Sequence, residues 1–117
     1  MRTGMKSDVQ PANELLRRIR EQMLAPDDIL LTAEFFKALA DPTRLSIINA
    51  LQLHEWLCVT DLAEILGMTK SAVSHQLCNM RMNKLVRVRR EGQRIYYALN
   101  DVHVEQVCAL AVDHVRE

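Results

Sequence analysis

Asp101, His103, His114 and Glu117 sit in the last stretch of a 117-residue chain and together offer two imidazoles and two carboxylates. Two nitrogen and two oxygen donors suit a borderline divalent ion, Zn(II) first, with Co(II) or Ni(II) as alternatives. A single helix cannot assemble them. His103 and His114 lie on nearly the same helical face but about 16 Å apart along the axis. Donor atoms around one tetrahedral ion sit within roughly 3–4 Å of one another, because each bond is about 2 Å.

Two copies of the helix packed antiparallel resolve this. Around a two-fold axis, residues equidistant from a common centre meet. His103 and His114 share a midpoint near Ala109, and Asp101 and Glu117 share almost the same one. Asp101 and His103 of one copy then face His114 and Glu117 of the other, twice per dimer. The small side chains of Cys108 and Ala111 flank the centre and would allow close approach. Cys108, near the axis, would also be placed for an intersubunit disulfide under oxidation. A terminal helix usually carries such residues as its solvated side, and the shared midpoint is what argues against that here. Four protein ligands describe a closed, regulatory site, since a catalytic one keeps a position open.

The rest of the chain must position that helix. Asn13 is placed to cap a helix running to about Leu24, which Pro26 ends. Thr32 caps a short helix through Phe35, Phe36 and Leu39. Asp41-Pro42 reads as an N-cap followed by proline at the first helical position, opening a helix with Leu45, Ile47, Ile48 and Leu51. A helix with Leu62, Ala63, Ile65 and Leu66 ends at Gly67, and Thr69 caps another from Lys70 to about Asn83. Alternating segments on either side of Glu91-Gly92 read as a β-hairpin. A last helix runs from near Asn100 to Glu117. The expected fold is mainly α with a β-hairpin wing: a flexible arm over 1–12, then one winged helix-turn-helix domain over 13–117.

The helix beginning at Lys70 carries the second constellation. Ala72, Val73 and Leu77 face the core, while Lys70, Ser71, Ser74, His75 and Gln76 face outward. Small and amide-bearing side chains at a helix N-terminus suit entry into a major groove, where glutamine can pair with adenine. Arg89, Arg90 and Arg94 of the hairpin would reach the flanking backbone or minor groove. On an isolated helix, Ser, His and Gln would be an ordinary solvated face. The preceding helix, the glycine turn and the basic hairpin, in that order, favour DNA.

The formal net charge of zero hides a strong asymmetry. Between Met68 and Ala98 seven basic residues face a single acid, Glu91, whereas four acids and one arginine follow from Leu99 onward. The local field governs phosphate binding, so the middle of the chain is basic where it matters. No apolar run approaches the length of a membrane span and no signal sequence is recognisable, so a cytoplasmic protein is expected. Three widely spaced cysteines argue against a disulfide framework. No nucleophile and base constellation and no glycine-rich phosphate loop appears, which speaks against an enzyme.

Three segments carry a resemblance. Ala38-Leu39-Ala40-Asp41-Pro42-Thr43-Arg44-Leu45, Ser71-Ala72-Val73-Ser74-His75-Gln76-Leu77 and Gly92-Gln93-Arg94-Ile95-Tyr96-Tyr97 are similar to signature segments of the ArsR/SmtB metalloregulatory repressors. The resemblance runs unbroken from Thr32 to Glu117. It implies a homodimer joined through N- and C-terminal helices, bound to double-stranded operator DNA and released by a metal ion. It also implies that Asp101, His103, His114 and Glu117 match the C-terminal-helix zinc site of the SmtB-like sensors, and that the controlled genes serve metal efflux or sequestration.

A second site of the family maps to Leu57-Cys58-Val59-Thr60-Asp61-Leu62. Thr60 stands where soft-metal sensors carry another cysteine, and the residues before it contain no further thiol. Cys58 and Asp61 therefore lack partners, and that site reads as vestigial. Cys78 and Cys108 read as packing residues, and His54 has no ligand neighbour. The alternative reading is a winged-helix regulator answering a redox signal through Cys58 or Cys108.

Overall fold

A computed structural model describes residues 12–117, and the first eleven residues of the expected arm lie outside the described part. The described elements are α1 (Ala12–Gln22), α2 (Pro26–Leu39), α3 (Pro42–Leu53), β1 (Leu57–Cys58), α4 (Val59–Leu66), α5 (Lys70–Met82), β2 (Val86–Glu91), β3 (Arg94–Leu99) and α6 (Val102–Val115). The chain divides within α2 into two compact units, one up to Ala33 and one over Glu34–Glu117.

In the first unit, α1 buries no residue, and its apolar side chains Leu15, Leu16 and Ile19 are exposed. Two expected boundaries move here. Asn13 lies inside α1, its Oδ1 accepting from the Glu14 amide. Pro26 opens α2 instead of merely ending its predecessor, as proline's missing N–H and fixed φ allow at a first helical position. Thr32 is consequently mid-helix, and its hydroxyl donates back to the Asp28 carbonyl at 2.7 Å.

The second unit holds the core. Ile47, Ile48 and Leu51 of α3, Leu62 of α4, Val73, Leu77 and Met80 of α5, and Val104 of α6 pack into one buried cluster with Leu85 and Val86. Leu45, expected with its α3 neighbours, is instead exposed and helps line an apolar groove between α3 and α6. Local chemistry sets the helix ends as the sequence suggests. Asp41 accepts from the Arg44 amide at 3.0 Å, and the Thr69 hydroxyl accepts from the Ala72 amide at 3.1 Å. Gly67 takes the left-handed conformation, with φ of 65°, that ends α4 and turns the chain toward α5.

The three strands form one antiparallel sheet in the order β1-β3-β2. β2 and β3 are the expected hairpin, Glu91 opposite Arg94, with Gly92 at φ of 63° in the two-residue turn. β1 was not foreseen, because two residues carry no readable alternation; Leu57 pairs with Tyr97 and Cys58 with Tyr96. Mainly helical, with a hairpin wing after a helix-turn-helix, this is the winged helix-turn-helix architecture. No described helix is long and apolar enough to cross a membrane.

Candidate functional site

α6 begins where Asp101 caps it. Its Oδ1 accepts from the amides of His103 at 3.0 Å and Val104 at 3.1 Å. The backbone bond from Val104 is the largest influence holding the Asp101 carboxyl below its usual pKa, against a desolvation cost and with help from Asn100 and His103. Asn100 donates to Oδ2 at 3.3 Å, so the carboxylate is oriented by three donors before it meets any further partner. His103 lies beside it, Nδ1 at 3.8 Å from Oδ1, with its side chain 80% exposed.

One turn holds two of the four expected ligands, and the chain does not bring the other two to them. Among the described residues of one chain, no group of three or more histidine, cysteine or carboxylate side chains is close enough to hold a metal. His114 stands in the last turn of α6, and Glu117 lies just past its end. At 100° per residue, His103, Val107, Leu110 and His114, spaced four, three and four apart, line one face, and Glu117 continues the step. Leu110 on that face is 72% exposed.

This face corrects one detail of the antiparallel scheme. Cys108, expected to flank a crossing of two such helices, is not on the exposed surface of α6. It lies with Val104 on the opposite side of α6, buried in its own core, where desolvation pushes the thiol pKa up. Ala111 likewise turns toward the groove against α3. Leu110 is exposed near the midpoint that His103 and His114 share, whereas Val107, at the edge of that face, is half-buried, packs against the core and lines the same groove. An intersubunit disulfide at Cys108 loses its geometric basis.

The second constellation lies on α5. Lys70, Ser71, Ser74 and His75 are exposed along its first turns, and Val73, Leu77 and Met80 seat the opposite face. Gln76 departs from expectation. Three residues after Val73 and four before Met80, it falls at the edge of the buried side, half-buried, with Oε1 accepting from Arg44 at 3.3 Å. Arg44 in turn donates to the Ala38 carbonyl at 2.7 Å, so Gln76 is tied to α2 through α3.

The wing arginines are exposed, and two of them have partners within the chain. Arg94 donates to the Cys58 sulfur at 3.8 Å, and the Cys58 thiol donates to Asp61 at 3.2 Å. Cys58 is buried as expected, but it and Asp61 have partners: each other and the wing. Arg89 pairs with Glu91 at 3.2 Å and stacks on Trp56. Arg90 is exposed close to the turn. Cys78, read as a packing residue, is exposed on α5, since it follows Ser71 by seven residues and shares its outer face.

Trp56 and Arg87 are the residues the sequence reading passed over. Trp56, the sole tryptophan, lies in the short connection between α3 and β1. Arg87 bonds the Leu99 carbonyl at 3.1 Å and Glu55 at 3.4 Å. Strand alternation would have placed Arg87 and Arg89 on one face.

The Asp101 cap gives a testable pH effect. A folded pKa below the unfolded value means a stabilising contribution fully present above pH about 4 and lost as pH falls through the lowered folded value. Asp101→Asn keeps a capping side chain and should remove that pH dependence, whereas Asp101→Ala should lower stability near neutral pH as well. Thermal melting of the three proteins between pH 3 and 7 checks this. A wild-type acid profile retained in Asp101→Asn would refute it.

Residues 41–88 match the bacterial regulatory protein, arsR family. The chain is 43% identical over 104 residues to a transcriptional repressor SmtB homolog of Synechocystis sp., covering 89% of this chain and 78% of that one. It is 48% identical over 82 residues to the HTH-type transcriptional regulator NmtR of Mycobacterium tuberculosis, covering 70% and 68% of the two. The solution structure of apo-NmtR superposes with a TM-score of 0.70 at 37% identity, over 97% of this chain and 87% of that one. The AntR antimony-specific transcriptional repressor reaches 0.74 at 33% identity, over 81% and 86%. These relatives are DNA-binding regulators and not enzymes. With a capped helix-turn-helix, a basic wing and an identity of 43% spread over most of its length, this chain belongs to the ArsR family of bacterial regulatory proteins.

Proposed function

We propose that this protein is a dimeric transcriptional repressor that releases operator DNA when a divalent metal ion, Zn(II) first and Co(II) or Ni(II) as alternatives, is held across two α6 helices. Asp101 and His103 of one protomer and His114 and Glu117 of the partner subunit are the ligands in this reading. The observation that carries it is on α6, where His103, Val107, Leu110 and His114 follow a four-three-four spacing and His103, Leu110 and His114 are exposed, with Val107 half-buried at the edge. That spacing is what an antiparallel seam of two helices requires. The similarity to the SmtB homolog and to the antimony-specific repressor AntR supports the metal class.

The chain's own groups then have distinct parts. Oδ1 of Asp101 is engaged with two α6 amides, which leaves Oδ2, touched by Asn100 alone, as the less engaged oxygen. The imidazoles supply neutral nitrogen lone pairs, so ligation competes with protons at low pH. An ion held by these four residues would cross-link the two α6 helices and would favour one spacing of the two α5 helices. On DNA, Lys70, Ser71, Ser74 and His75 enter the major groove, Gln76 lies at their edge, and Arg89, Arg90 and Arg94 serve the wing. Metal and DNA weaken each other's affinity by the same factor, as linkage demands. The controlled genes would serve metal efflux or sequestration, and the repressor would act in the cytoplasm, where a bacterial operator lies.

A redox signal through Cys58 or Cys108 is the rival, and both thiols are buried. Titrating Zn(II) into the protein bound to fluorescent DNA from its own promoter, anaerobically and against a competing chelator, separates the two. Stoichiometric zinc binding with loss of DNA anisotropy supports the metal reading. Anisotropy that responds to peroxide and not to zinc supports the rival.

A further inference from the structure

Trp56 lies between α3 and β1, half-buried, with the guanidinium carbons of Arg87 and Arg89 at 4.6 Å and 4.4 Å from its ring centroid. Two cations on one ring repel, so something must hold them. Arg87 is fastened by the Leu99 carbonyl and Glu55, and Arg89 by Glu91. The two arginines alternate with Val86 and Val88 along β2, and the valines' side of the strand is the more buried. Arg87 and Arg89 thus form the outer basic face of the wing, and their side chains are about half exposed.

Stacking uses the face of a guanidinium and leaves its in-plane N–H groups free for an oxyanion. A phosphate therefore competes with the Glu91 carboxylate for Arg89 but does not compete with the ring. We propose that Trp56 is a positioning residue for DNA binding, holding the Arg89 guanidinium over its ring, beside the anchored Arg87, so that Arg89 keeps N–H groups for a backbone phosphate. An arginine already confined in that way loses less rotamer freedom when it binds. The contact is to phosphate, so the gain is independent of base sequence. The inference rests on the wing meeting DNA, and the test separates the two claims.

The measurement is DNA affinity by anisotropy, on promoter DNA and on a random duplex, across a salt series. The variants are Trp56→Phe, which keeps an aromatic face, and Trp56→Leu, which keeps apolar bulk without one. Both are made alone and in an Arg89→Ala background. Trp56→Leu should weaken both duplexes about 3- to 10-fold, the scale of one exposed cation–π contact together with its ordering. Trp56→Phe should keep most of the affinity, and Trp56→Leu should add nothing once Arg89→Ala is present. Arg89→Ala should reduce the salt slope by about one. If Trp56→Phe and Trp56→Leu behave alike, or if the Trp56 and Arg89 effects add, the indole does not act through Arg89 and the proposal fails. If Arg89→Ala changes neither affinity nor slope, the wing contact itself is wrong, and the proposal falls with it.

Discussion

His114→Ala leaves metal-free operator binding intact and abolishes its loss on adding zinc. The side chain is exposed near the end of α6 and makes no packing contact in the core, so folding should change by no more than about 0.5 kcal/mol. It is remote in sequence from α5 and the wing, so phosphate and base contacts are untouched. What disappears is one of the two nitrogen donors, and with it the difference in metal affinity between DNA-bound and free protein. Couplings of this kind are typically about 5- to 150-fold, so the zinc-induced drop in DNA affinity should shrink from that range to near unity. Anisotropy titrations with saturating zinc and with chelator measure it. A variant still released by zinc would place the responsive site elsewhere.

The second large effect is on the platform that aims α5. Leu77→Ala should cost about 2–5 kcal/mol, because the side chain has no exposure and sits between α5 and the rest of the core. Against a typical total of about 5–15 kcal/mol this is a severe loss. Operator affinity should fall with it, since Val73, Leu77 and Met80 seat the reading face from behind. Met82→Ala, on the same helix but 78% exposed, should stay within about 0.5 kcal/mol of wild type. Urea unfolding at equal protein concentration compares them, and equal midpoints for the two variants would contradict the packing account.

Much of this architecture can be read from residues. Asp41-Pro42, Gly67, Thr69 and Gly92 each fix a helix end or turn through a local hydrogen bond or a backbone preference, and each acts where expected. Pro26 and Thr32 misled because both are compatible with two roles: proline ends one helix and begins another, and threonine caps a helix or bonds back within it. Gln76 and Cys78 exchanged their expected surroundings because a helical face is not divided cleanly. A shift of one position near its edge decides between a partner such as Arg44 and open solvent. The Trp56 stack and β1 were hidden, since both depend on contacts across the sheet that no local pattern announces. At α6 the spacing of His103 and His114 carries the proposed seam, and only burial tells which side of the helix Cys108 takes.

The central claim is that each metal site is divided between two subunits, and mixing variants tests it most directly. Asp101→Ala with His103→Ala removes one half of every site, and His114→Ala with Glu117→Ala removes the other. Each doubly substituted protein alone should bind no zinc tightly. After the two are unfolded together and refolded, their heterodimers carry one site with all four ligands and one with none. Chelator-competition titration should then recover tight zinc binding at about one site per heterodimer. A mixture as silent as its parents, or a parent that binds zinc as wild type does, would contradict a site shared across α6.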